Sequence, residues 1–202
     1  MRILLISCLL AIIAVALIGV EASSATALCK TTTTPCDSGY GKGTTLDASM
    51  TSGTTAILKS TSETVLDTCT AGTVKGTTAN AGGGEAEEPV TGTVETLSFS
   101  SCSRTTHTLK TGEFEIQKIA ETDDGTLISR NAEITVDSIF GSCVFGTASG
   151  TDLGTLKGGE SPTIEVNAVV PKISGNGACP AHAVLTASYT LTEPKPLYVE
   201  GN

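Results

Sequence analysis

The sequence predicts an all-β protein: an antiparallel β-sandwich, Greek-key or jelly-roll-like, stapled by disulfides. Three observations carry this. Short Val-, Ile- and Leu-containing runs lie between turn residues in a chain dominated by Gly, Thr, Ser and Ala. β-branched Thr and Val suit a pleated surface that Gly punctuates, and no long helical stripe competes with them. Six cysteines remain once an N-terminal export segment is set aside. An even set of that kind forms disulfides where no thiol pool reduces it.

The chain opens with Arg2 and an almost wholly apolar run from Ile3 to Val20, broken by Ser7, Cys8 and Gly19. Ala25-Thr26-Ala27 supplies the small-x-small pattern that signal peptidase reads. We therefore expect a cleaved signal peptide over residues 1–27 and a single secreted β-rich domain over 28–202. An uncleaved anchor is the alternative, because the run is about long enough to span a bilayer. Lipidation at Cys29 is disfavoured by Leu28, where a small residue is needed, and at Cys8 by the short stretch before it. A domain of this length buries about 70% of its unfolded surface, so disulfides reinforce a core instead of replacing one.

Along the mature chain, Thr44 to Met50 places Leu46, Ala48 and Met50 on one face. Thr55 to Ser60 and Glu63 to Thr68 read as short strands, and Val90 to Ser100 leads into Cys102. Glu113 to Ala120 carries Phe114 and Ile116. Asp124-Gly125 is a hairpin-turn dipeptide before Thr126 to Ser129. Ala132 to Ile139 carries Ile134 and Val136, and Thr163 to Val170 precedes Pro171. The clearest strand puts Ala181, Ala183, Leu185, Ala187, Tyr189 and Leu191 on one face. His182, Val184, Thr186, Ser188, Thr190 and Thr192 take the other. Pro194 and Pro196 stop it, and Leu197-Tyr198-Val199 adds a short edge strand. Thr78 to Glu88, with Gly82-Gly83-Gly84 before Glu85, Glu87 and Glu88, reads as a mobile acidic loop; its carboxylates lack calcium-loop spacing.

Two cysteines share a frame. Cys69-Thr70-Ala71-Gly72-Thr73-Val74-Lys75-Gly76-Thr77 aligns with Cys143-Val144-Phe145-Gly146-Thr147-Ala148-Ser149-Gly150-Thr151 as C-x-x-G-T-x-x-G-T. In each a second cysteine follows at a similar distance. The pattern predicts two similar β-units around 55–110 and 130–192, merged into one domain. It pairs Cys69–Cys102 and Cys143–Cys179 and leaves Cys29–Cys36; cross-unit pairing such as Cys69–Cys143 is the alternative.

The formal net charge of −9 argues against nucleic acid and anionic membrane partners, which call for clustered Lys and Arg. With 4 Phe, 3 Tyr and no Trp, stacking platforms for sugars or bases are scarce. His107 and His182 are the two histidines. Cys179-Pro180-Ala181-His182 gives a single C-x-x-H, whose thiolate a disulfide would consume. No G-x-S-x-G elbow accompanies Asp123, Asp124, Asp137 or Asp152. Glu113 with Glu115, and Glu121 with Asp123, share strand faces as paired carboxylates, but a solvated face explains them without aromatic subsites. Gly158-Gly159-Glu160-Ser161-Pro162 is a turn with no phosphate-loop lysine after it, and no N-x-S/T acceptor occurs. These readings name no catalytic, cofactor-binding or metal residue.

Leu28-Cys29-Lys30 at the mature start, Cys36, Gly92-Thr93-Val94 before Ser101-Cys102, and Ser188-Tyr189-Thr190 through Leu197-Tyr198-Val199 carry a likeness. On them the chain resembles secreted Ala/Gly/Thr-rich proteins of high-GC soil bacteria with no assigned activity. That resemblance implies a compact extracellular β-fold and no site residues. A weaker similarity, in Cys29 and Cys36, is to small acidic chromoprotein carriers, secreted disulfide-bonded sandwiches that hold an apolar molecule in a cleft.

The expected function is that of an exported, non-enzymatic extracellular or cell-envelope protein, structural or acting through its surface. The alternative is a carrier for a small apolar ligand between two sheets, and a secreted hydrolase comes third. No cofactor is expected, and the partner is either a protein or a small apolar molecule.

Overall fold

A computed structural model describes residues 25–83, 88–138, 141–147 and 150–201. The apolar run expected as an export signal, the centre of the acidic loop at 84–87, and 148–149 of the second cysteine frame lie outside the described residues.

The described residues form strands and no helix. β1 (Thr26–Cys29) is followed by β2 (Thr45–Met50) and β3 (Ala56–Ser60), which run in line as one interrupted stave. β4 (Val65–Thr78) and β5 (Val90–Cys102) are long and continuous. Three more interrupted staves follow: β6 (Thr106–Lys110) with β7 (Glu113–Lys118), β8 (Gly125–Arg130) with β9 (Glu133–Ser138), and β10 (Gly141–Gly146) with β11 (Thr151–Lys157). β12 (Thr163–Ser174), β13 (His182–Glu193) and β14 (Tyr198–Gly201) complete the chain.

Each stave hydrogen-bonds antiparallel to the stave before it. β7 pairs with β8 and β6 with β9; β8 pairs with β11 and β9 with β10. β5 meets the next stave through its ladder to β7, the bond from Val94 N to Gly112 O (3.0 Å), and Thr108 Oγ1 donating to Leu97 O (2.6 Å). The last stave returns to the first: β13 pairs with β2 at Tyr189↔Met50 and with β3 at Leu185↔Leu58. β2 and β3 in turn pair with β4. The result is a closed, up-and-down β-barrel of 8 strands.

The expected sandwich is thereby corrected. Alternating burial is the same whether two sheets face each other or one sheet closes on itself, so periodicity cannot separate them. What decides is that the β2–β3 stave bonds to a neighbour on both sides. Every ring connection links chain neighbours, so no Greek key occurs within it.

The breaks in the staves fall at one level. Gly112, Asn131 and Gly150 have positive φ there (78°, 58° and 88°). A Cβ on Gly112 would lie 2.4 Å from Arg130 O, so the chain passes only as glycine. Cross-bonds keep the wall intact: Asn131 N donates to Thr147 O and Thr147 N to Ala132 O, both at 2.9 Å.

β1 and β14 pair as a two-stranded ribbon across one end. All four residues of β1 are buried, and Leu28, Leu197 and Val199 pack against Val90, Ile116 and Leu156. The segment expected as an edge strand is thus a buried plug. Lys118 on β7 ties it down through Val199 O (2.9 Å) and the Glu200 carboxylate (3.2 Å). A second cluster, including Leu58, Leu66, Ile134, Val136, Phe145 and Val170, fills the other end.

Three disulfides join Cys29–Cys36, Cys69–Cys102 and Cys143–Cys179. Three intramolecular disulfides fit an oxidising, extracellular-type environment. The two cysteine frames start on β4 and β10, the second and sixth staves of the ring.

Candidate functional site

The apolar face read from the sequence of β13 points into the barrel: Ala183, Ala187, Tyr189 and Leu191 are buried there. Two large rings set the interior shape. Phe114 of β7 lies against two glycines on neighbouring staves. A Cβ on Gly92 would meet its Cζ at 2.2 Å, and one on Gly76 its Cε1 at 3.0 Å. The Tyr189 hydroxyl reaches over Gly72, whose added Cβ would lie 3.6 Å from it. Gly76 and Gly92 leave room for the Phe114 ring, so the wall stays thin beside it.

The interior is not filled. Between the two end clusters lies a cavity of about 140 Å³. Leu46, Val74, Val94, Leu127, Ile164 and Val166 line it and remain only half-buried although they point inward. An 8-stranded barrel is wide enough either to be filled by its own side chains or to keep space for one small ligand. This one keeps space, at the level of the stave breaks, where Thr111, Ala132 and Thr147 reach the cavity.

Among the described residues, no acidic, basic or histidine side chain lines the cavity. Its buried polar side chains are Ser129, Thr147 and Tyr189. The first two satisfy each other at 3.1 Å, and Thr147 Oγ1 also accepts from Ala132 N at 3.0 Å. The Tyr189 hydroxyl has no hydrogen-bond partner among the described residues. Burial pushes its pKa up to about 12, so it remains a protonated donor through the ordinary pH range.

A smaller void, about 20 Å³, lies near Asp67 and Thr106. Asp67 is buried and fully engaged. Its Oδ1 accepts from Thr68 N (2.7 Å), Ser103 Oγ (2.7 Å) and Arg104 N (2.9 Å), and its Oδ2 accepts from Thr106 Oγ1. Asp67, Cys69 and Cys102 are the one close set of metal-ligand atom types among the described residues. The two sulfurs are bonded to each other and the carboxylate is taken up by donors, so the set pins the β5–β6 turn and leaves no ligand free.

The candidates read from sequence lie elsewhere. His107 and His182 are exposed on β6 and at the start of β13. Cys179 is in a disulfide. Glu113 is exposed, and Glu115 pairs with Arg130 at 3.1 Å on the outer wall. Glu121 and Asp123 occupy an exposed turn. Asp124 accepts from Gly158 N across two turns, and Asp137 and Asp152 accept local bonds from Ser142 Oγ and Gly154 N. The structure brings none of these to the cavity. Sequence reasoning placed Tyr189 on an apolar face but had no signal that the face surrounds a space.

The chain matches no protein-family model, no curated protein and no solved structure.

Proposed function

We propose that this is an exported, non-enzymatic binding protein that holds one small apolar molecule inside its barrel. The observation that supports this is the unfilled interior, a space walled by Val, Leu, Ile and Phe with no charge facing it. Native interiors are close-packed, and voids larger than a water are few. A comparable apolar cavity of about 150 Å³ takes up benzene. The space therefore suits a one-ring or compact two-ring compound, below the ~300–1,000 Å³ of drug-sized pockets. The outer wall is polar where the interior is apolar, the reverse of a barrel that spans a membrane. The three disulfides, with the export segment expected from the sequence, support a carrier that works outside the reducing cytosol.

The test is thermal melting of the disulfide-bonded protein with and without toluene. Binding to the folded state raises Tm in proportion to ligand saturation. Ala187→Leu adds methylenes into the cavity and is expected to abolish the toluene response. No shift in the unaltered protein at saturating toluene overturns the proposal.

A further inference from the structure

Building on the cavity reading, we infer that the ligand is an uncharged ring compound carrying one oxygen acceptor, recognised by the Tyr189 hydroxyl. The argument is an inventory of what faces the space. With no cation lining it, a carboxylate or phosphate would enter unpaired, at prohibitive desolvation cost. Ser129 and Thr147 bond to each other. Tyr189 is 4% exposed, and its hydroxyl has no internal partner. The one fully enclosed side-chain atom without a partner among the described residues is Glu200 Oε1, so the Tyr189 hydroxyl is not sealed in and its donor is open to a ligand. A phenol on the cavity wall with an unused donor can give it to a ligand oxygen.

The test uses two probes of one shape, acetophenone and cumene, in which a carbonyl is exchanged for a C–H and methyl. Both are titrated calorimetrically into the full disulfide-bonded chain and into Tyr189→Phe. The substitution is expected to weaken acetophenone by about three- to tenfold, the worth of one neutral hydrogen bond. Cumene affinity should stay the same. A second measurement needs no variant: the carbonyl stretch of bound acetophenone is expected at lower frequency than in hexane. Equal effects on the two probes, or a hexane-like stretch, overturn the Tyr189 assignment and leave the cavity reading standing. Failure of both probes to bind the unaltered protein overturns the cavity reading, and this inference with it.

Discussion

Removing the first residues of β1 tests how far the plug belongs to the cooperative fold. The comparison is between a chain starting at Ala25 and one starting at Leu28, the residue after the cut expected from Ala25-Thr26-Ala27. Ala25, Thr26 and Ala27 are 2%, 1% and 6% exposed. Thr26 N donates to Glu88 O, Gly83 N donates to Thr26 O, and Lys118 N donates to Thr26 Oγ1, each at 2.9 Å. At about 1 kcal/mol per net hydrogen bond, these contribute roughly 3 kcal/mol. Three buried methyl groups add about 2 kcal/mol at ~0.8 each. Ordering three backbone residues opposes this by roughly 3–4 kcal/mol. The balance is a loss of about 1–2 kcal/mol on trimming. The new ammonium group at buried Leu28 adds to it. For a domain of this size that lowers Tm by roughly 3–8 °C. Differential scanning calorimetry of both chains, disulfides intact, measures it. Melting points within about 1 °C of each other would refute the reasoning. If the protein is exported with cleavage, mass spectrometry of the mature chain should then find its first residue at or before Thr26.

Three further outcomes are expected. Burial alone would raise the Asp67 pKa, but hydrogen bonds from Thr106, Ser103, Thr68 and Arg104 outweigh it and hold the carboxyl below its ordinary value. A depressed folded pKa gives stability that is complete above the unfolded value near ~3.9 and lost as pH falls through the folded one. Asp67→Asn should therefore flatten the acid limb of a urea stability–pH profile and cost about 1–3 kcal/mol at neutral pH; parallel profiles would contradict this. Gly92→Ala sets a methyl 2.2 Å from Phe114 Cζ and 2.4 Å from Thr77 O. It should cost about 1–3 kcal/mol by overpacking, partly recovered with Phe114→Leu in a double-mutant cycle, and full additivity would count against the contact. Serine replacement of Cys69 and Cys102, whose separation is 33, should cost roughly 3.5–4 kcal/mol against about 2.5 for Cys29 and Cys36, separated by 7. Guanidinium unfolding checks the order, and a reversed ranking would sink the chain-entropy account.

The all-β class was legible because Thr- and Val-rich runs alternate between turn residues, and β13 was legible almost residue by residue. β6, β10 and β11 were not, since Thr106–Lys110, Gly141–Gly146 and Thr151–Lys157 carry too few apolar residues in alternation. The length of β4 was hidden for a similar reason: past Cys69 the run is rich in Gly and Thr, and Gly76 there makes room for the Phe114 ring from another stave. Closure was illegible because it depends on long-range bonds between β13 and the β2–β3 stave, which leave no local mark. The cavity depends on closure and was equally hidden. What the sequence did contain was the chemistry of its wall, an apolar face interrupted by one phenol.

Joining β13 to β2 and β3 has a consequence for self-association. A chain so rich in β-formers would be an efficient template for fibrils if any strand in the wall kept an unpaired rim of amides and carbonyls. In the ring each stave has a neighbour on both flanks, so the backbone offers a second molecule little to zip onto. Breaking the seam at Tyr189↔Met50 and Leu185↔Leu58 would restore such a rim on β13 and on the β2–β3 stave.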